Sequence, residues 1–270
     1  MIDISKIDYS HLDLPEILAI LFYPRPEWGP GQSEGPSIDV LIPVEDSIAI
    51  GGRFHMTNKD GPSILFFHGN GEIVSDYDDF GPIFNNMGMN FMPVDYRGYG
   101  RSTGRPSITF MLRDCHFILE FAGNWLRENN YSGPVILMGR SLGSASVLEL
   151  ASSYKDYISG LIVESGFART DHLLRRLGMD PSEIGFNEER GLGNLEKIGA
   201  YYGPTLVIHA EQDHILPFHN GQELYDASGS KDKTFLSIPN ANHNDIFIEG
   251  YKEYLGAVRT LVRKVASGSR

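Results

Sequence analysis

Residues 135–151 read VILMGRSLGSASVLELA: four apolar residues from Val135 to Met138, then Gly139-Arg140-Ser141-Leu142-Gly143, then a run of helical period from Ala145 to Ala151. A short apolar strand, a turn with glycine on both sides of a serine, and a helix form the setting in which a strained turn lifts a serine hydroxyl above a sheet. The pentapeptide alone is short enough to arise by chance, so its specificity has to come from the rest of the chain.

Working outward, compact apolar runs recur at Ile64 to Phe67, Phe91 to Val94, Leu161 to Val163, Leu206 to Ile208 and Phe235 to Ile238. Such runs read as strands buried on both faces. Between them, Met111, Cys115, Ile118, Ala122, Trp125 and Leu126 fall on one helical stripe. So do Phe247, Tyr251, Tyr254, Leu255, Val258, Leu261, Val262 and Val265 near the end. Strand alternating with helix predicts an α/β chain with a mostly parallel, doubly wound sheet, whose ligands bind beyond the carboxyl ends of the strands. Two earlier runs, Ser37 to Ile42 and Ser47 to Phe54, are separated by Pro43-Val44-Glu45-Asp46 and read as an antiparallel pair at a sheet edge. The expected organisation is a helical extension over residues 1–34, a core over 35–166 and 201–266, and an inserted helical cap over 167–200. The cap carries the amphipathic Leu173, Leu174 and Leu177 and a turn at Asp180-Pro181. Surface insertions of this kind cost little closure entropy.

An attacking serine needs a base within hydrogen-bond reach and an acid to orient that base. His243 and Asp213 meet both needs, each lying just beyond a late strand, and the chain order is Ser141, Asp213, His243. Glu211 is the nearby rival for the acid. His214 adjoins the acid itself and His209 lies within a strand, so neither competes well with His243. After the strand Ile64 to Phe67 comes His68-Gly69-Asn70-Gly71, a small loop whose Asn70 N–H is expected to join the N–H of Leu142 as an oxyanion hole. His68 is expected to orient that loop, and Asp95 and Arg97 to form a charged pair ordering the next one. Cys115 reads as a core residue, with His116 pointing elsewhere on the same helix.

Phe67-His68-Gly69-Asn70-Gly71, the stretch Asp95-Tyr96-Arg97-Gly98-Tyr99-Gly100-Arg101-Ser102, the serine turn, and the late Asp213 and His243 together resemble the α/β-hydrolase superfamily. Within it they resemble the serine hydrolases of the BEM46-like and serine-aminopeptidase-like group. The resemblance spans about residues 35–265. It implies the α/β-hydrolase fold, with an eight-stranded core and a variable cap, and hydrolysis of esters, thioesters or occasionally amides with no metal or organic cofactor.

Composition bounds the partners. The 270 residues are 41% hydrophobic and 21% charged, a globular balance, and 23 basic against 35 acidic residues give a net charge of −12 that repels nucleic acid and anionic lipid. The longest apolar run, Ile17 to Tyr23, falls far short of the roughly 20 residues of a membrane span, so no integral membrane association is expected. A single cysteine, Cys115, rules out an internal disulfide and suits a reducing compartment, so the expected setting is cytoplasmic. No His-Glu-x-x-His pattern occurs, and His209, Asp213 and His214 lack further clustered ligands, so no metal is expected. Gly98-x-Gly100 lacks the third glycine of a dinucleotide site, and no glycine-lysine dipeptide is present for a phosphate loop. The expectation is therefore a serine hydrolase acting on a small-molecule or acyl substrate, with its oligomeric state left open. Two rival readings stay open: an amide-cleaving enzyme using the cap carboxylates Glu183, Glu188 and Glu189 to hold a substrate amine, and a ligand-binding module with little turnover.

Overall fold

The structure is a computed structural model that describes residues 2–28 and 37–268. The expected boundary at residues 34/35 lies outside the described residues. The chain falls into two compact units, Met1–Ile136 and Leu137–Arg270.

The first unit carries α1 (Pro15–Leu21), β1 (Ser37–Glu45), β2 (Ile48–His55), β3 (Ser63–Phe67), α2 (Phe80–Asn86), β4 (Asn90–Val94) and α3 (Ile108–Glu128). In α1, proline occupies the first turn, where its missing N–H costs nothing, and Ile17 and Leu21 are buried one turn apart. The residues before it are tied down by polar contacts. Asp13 Oδ1 accepts from the N–H groups of Ile108 (2.7 Å) and Thr109 (3.3 Å) at the start of α3, and Arg113 Nε donates to the Ile7 carbonyl at 2.6 Å. Ser107 caps α3 by accepting from the Phe110 N–H.

The second unit carries α4 (Gly143–Ser153), β6 (Gly160–Glu164), α5 (Thr170–Arg176), α6 (Asn194–Ala200), β7 (Thr205–Ala210), α7 (His219–Ala227), β8 (Lys233–Ile238), α8 (Ile246–Glu249) and α9 (Tyr251–Gly268). The remaining strand, β5 (Val135–Arg140), begins at the end of the first unit and continues into the second. The eight strands belong to one sheet in the order β1-β2-β4-β3-β5-β6-β7-β8. β1 and β2, and β2 and β4, pair antiparallel, whereas β3 with β4, β6 with β7 and β7 with β8 pair parallel. Every residue of β3 to β7 is buried, as strands covered on both faces must be.

Several local expectations are corrected. β1 does not stop at Ile42 but runs through Pro43 to Glu45, with an irregularity between Pro43 and Glu45. This is the outermost strand, where proline's missing N–H breaks no ladder. β8 is the opposite edge and is only half-buried, so Phe235 to Ile238 is not a run covered on both faces. The terminal helical stripe is cut at Gly250 into α8 and α9, which leaves Tyr251 exposed while Tyr254, Val258, Leu261, Val262 and Val265 stay buried. Asp180-Pro181 opens a short 3-10 helix, Pro181–Ile184, whose first turn Asp180 caps through the Ser182 N–H. Among the described residues no helix is long and apolar enough to cross a membrane.

Candidate active site

In the second unit, successive strand ends step one backbone bond at a time. The Ser141 N–H donates to the Glu164 carbonyl (2.9 Å), the Ser165 N–H to the Ile208 carbonyl (2.8 Å) and the Glu211 N–H to the Ile238 carbonyl (3.1 Å). The ladder therefore extends past β5, β6, β7 and β8, so that residues following each strand emerge at the same end of the sheet. Ser141 stands at φ 50°, a left-handed conformation that a non-glycine residue adopts at a cost of order 1 kcal/mol. Its carbonyl accepts from the Ser144 N–H at 3.0 Å and the Ser144 hydroxyl at 2.6 Å, and α4 begins two residues on, which holds the turn in place.

This geometry brings Ser141, His243 and Asp213 together. His243 Nε2 lies 3.0 Å from Ser141 Oγ, and His243 Nδ1 lies 2.6 Å from Asp213 Oδ2. A carboxylate can only accept, so Nδ1 carries the proton and Nε2 is free to accept from the serine hydroxyl. The other Asp213 oxygen, Oδ1, accepts from the N–H groups of Ile215 (2.9 Å) and Leu216 (2.7 Å). Burial opposes the charge on Asp213. The hydrogen bond and charge of His243, the Leu216 N–H and His209 outweigh it, and the carboxyl is held below its ordinary pKa.

His209, the internal rival, is fully buried in β7. Its Nε2 donates to the Leu216 carbonyl at 2.8 Å and stands 3.5 Å from Asp213 Oδ2. It thus supports the loop that carries Asp213. Burial drives its pKa below the ordinary imidazole value despite the Leu216 carbonyl and Asp213.

Three buried residues beside Ser141, His243 and Asp213 escaped sequence reasoning. Arg140 Nη2 donates to the His243 carbonyl at 2.9 Å, and Arg140 Nε lies 3.4 Å from Glu164 Oε1. The Tyr254 hydroxyl donates to Glu164 Oε2 at 2.5 Å. Burial, reinforced by Glu164, raises the Tyr254 pKa well above its usual value, so the phenol remains a donor. One signal was available: Arg140 and Glu164 end strands that are otherwise wholly apolar, and charges in such places need partners.

In the first unit, His68 is fully buried, with Nδ1 2.8 Å from the Gly69 carbonyl and Nε2 3.2 Å from Asp95 Oδ1. The Tyr96 hydroxyl donates to the His68 carbonyl at 2.7 Å. Asn70 uses its side-chain oxygen to accept from the Tyr23 N–H and the Tyr99 hydroxyl, both at 2.7 Å. The expected Asp95–Arg97 pair is corrected. Asp95 Oδ1 instead takes His68 and the Val74 N–H, and Arg97 is bidentate to Asp114 (2.7 and 2.8 Å) with a further contact to Glu45. Two residues apart, their side chains serve separate partners.

Comparison with known proteins agrees with the sheet. The family described as serine aminopeptidase, S33, matches residues 59–181, a span that includes Ser141 and stops before Asp213 and His243. Alpha/beta hydrolase domain-containing protein 17C of Xenopus tropicalis is 27% identical over 252 residues, 88% of this chain and 74% of its own. Protein bem46 of Schizosaccharomyces pombe is 28% identical over 202 residues, 70% of this chain and 64% of its own. Among solved structures, the Pyrococcus furiosus esterase Pf2001 superposes with a TM-score of 0.71 at 18% identity, over 90% of this chain and 97% of that one. The chain has the α/β-hydrolase fold and is similar in sequence to BEM46-like hydrolases.

Other residues singled out in the sequence serve the packing of the chain. Cys115 is buried and donates to the Leu112 carbonyl at 3.2 Å. His116, expected to point elsewhere on the helix than Cys115, is buried as well, because α3 is covered on more than one side. Of the carboxylates expected to lie in a cap and hold a substrate amine in the rival reading, Glu188 is already engaged. Its two oxygens accept from the N–H groups of Thr170 (2.8 Å) and Asp171 (2.7 Å), so it caps the first turn of α5 from across the loop. Burial raises its pKa more than those two bonds lower it.

Proposed function

We propose that this hydrolase cleaves carboxylic esters or thioesters by passing the acyl group first to Ser141 and then to water. One observation carries the reading: the unbroken hydrogen-bonded line from Ser141 Oγ through His243 to Asp213, at 3.0 and 2.6 Å. As Oγ attacks the acyl carbon, His243 Nε2 takes its proton. The bond to the leaving oxygen or sulfur then breaks, and His243 returns that proton to the leaving group. Water next gives a proton to His243 while its oxygen attacks the acyl carbon, and Ser141 departs with the proton restored. Asp213, ionised throughout by virtue of its lowered pKa, keeps the imidazole in the productive tautomer and stabilises the imidazolium.

The Leu142 N–H, at the start of α4, is the proposed donor to the oxyanion. The Asn70 N–H is the proposed second donor, on the strength of the loop's sequence, with His68 orienting that loop. The amide-cleaving reading, which the description of the matched family would favour, loses Glu188 to its capping role. The test is hydrolysis of a p-nitrophenyl ester series from acetyl to palmitoyl alongside acyl-thioesters, with Ser141→Ala as control. The wild type should turn over at least one class, and the variant should lose about 10⁴- to 10⁶-fold. Wild-type hydrolysis by Ser141→Ala would overturn the proposal.

A further inference from the structure

The second unit holds another cluster of ligating side chains, apart from the triad. His219 and Glu223 lie four residues apart on α7 and so share a face, and His172 of α5 joins them. One ligand atom from each of the three lies within 4.8 Å of the others. The imidazole rings of His172 and His219 stand edge to face, 5.8 Å between centroids. His172 Nδ1 is shielded from solvent yet has no hydrogen-bond partner among the described residues, an unfavourable state for an imidazole nitrogen unless something else engages it. Glu223 is steadied from behind by Arg169, whose Nε donates to Oε2 at 3.0 Å, as outer partners steady the carboxylates of metal sites.

We propose that His172, His219 and Glu223 form a binding site for a divalent transition-metal ion of the zinc class, joining α5 to α7. Two imidazoles and one carboxylate suit zinc and its neighbours. Magnesium and calcium prefer all-oxygen shells. A cavity of about 340 Å³ lined in part by His172, His219, Leu216 and Pro217 gives room for water to complete the coordination. The absence of a metal expected from sequence rested on His209, Asp213 and His214, because a ligand 47 residues before its partners leaves no local pattern.

The bound ion acts as a positioning device. α7 starts two residues after Pro217, in the same stretch whose Leu216 N–H donates to Asp213 Oδ1, and Arg176 at the end of α5 donates to the Ile215 carbonyl at 3.3 Å. Joining α5 to α7 therefore restrains both neighbours of the loop that holds the triad acid. The site stands whether the substrate is an ester, a thioester or an amide.

The test is a calorimetric titration of zinc chloride into the untagged, EDTA-treated full chain, with cobalt(II) absorption as a second probe of a nitrogen-rich shell. One ion per chain is expected, with a rise in Tm of roughly 5 °C at a hundredfold excess over the dissociation constant. His219→Ala and Glu223→Gln, both at solvent-accessible positions of α7, should each weaken binding at least tenfold while keeping the wild-type circular dichroism. His172→Gln should do the same from the other helix, and Ser141→Ala should bind zinc like the wild type. Absence of saturable binding would overturn the proposal, as would binding unchanged in folded His219→Ala and Glu223→Gln.

Discussion

Replacing Gly139 with alanine should both destabilise the fold and disarm the serine. An added Cβ would stand 2.5 Å from the Gly143 carbonyl oxygen, 2.6 Å from Val147 Cγ2 and 2.8 Å from the Gly143 carbonyl carbon. Ordinary contact begins near 3.4 Å, so the overlap is about 0.6–0.9 Å, and two of the three atoms are backbone at the start of α4 that cannot rotate away. Overpacking of this kind costs about 1–3 kcal/mol, or a Tm fall of roughly 3–10 °C at this chain length. Relief must shift α4 or the turn on which Ser141 sits. Because a misplacement of about 1 Å at a reacting group costs up to roughly 100-fold, kcat/KM for an aryl ester should fall by about 10- to 100-fold. Gly256→Ala on α9 is the matched control. Its Cβ meets nothing within 4 Å, so it should gain about 0.5–1 kcal/mol in stability with turnover unchanged. Differential scanning fluorimetry and ester hydrolysis read both effects, and a Gly139→Ala variant with wild-type Tm and kcat/KM would refute the steric account of the turn.

Three further outcomes follow from the residues around the proposed triad. Arg140→Met removes a cation facing buried Glu164 and frees the His243 carbonyl, so stability should drop by about 3–5 kcal/mol in urea unfolding with kcat lowered as well, whereas Tyr254→Phe should cost only about 1–3 kcal/mol; equal effects would contradict this layout. Asp213→Asn should lower kcat about 10⁴-fold with the circular dichroism retained, since an amide cannot favour the productive tautomer; near-normal turnover would assign the acid elsewhere. Burial lowers the His209 pKa, so the unfolded chain takes up that proton near pH 6.5 while the folded chain resists. Its stabilising contribution is full above about pH 6.5 and is lost as pH falls from there through the folded pKa. His209→Asn should flatten the Tm profile over that window, and an unchanged slope would be contrary evidence. Asp213, with its pKa also lowered, contributes above the ordinary carboxylate range and loses its contribution only in stronger acid.

Much of the scaffold was legible because the physics that sets it is local. Val135 to Met138, Leu161 to Val163 and Leu206 to Ile208 are uninterrupted apolar runs, and only a strand covered on both faces tolerates them. Ser141 and Asp213 each follow such a run by a few residues and His243 follows the edge strand beside them, so parallel strands carry all three to one end, and their proximity follows from strand direction. What could not be read is set by tertiary partners. Arg97 finds Asp114 and Glu45 in place of its sequence neighbour Asp95, and Glu164 finds Tyr254 ninety residues away. The break at Gly250 turns Tyr251 outward from a stripe that looked continuous. Glu188 looked like a free acid on a surface insertion, yet it caps α5 from across a loop, a contact with no signature in its own vicinity.

The proposed mechanism requires a covalent acyl group on Ser141. Mixing enzyme with p-nitrophenyl acetate, quenching in acid within the first turnover and sequencing the peptides by mass tests it directly. The wild type should give a nitrophenolate burst of one equivalent per chain and an acetyl group on Ser141, and Ser141→Ala should give neither. An acetyl group on another residue, or steady hydrolysis by Ser141→Ala, would contradict it.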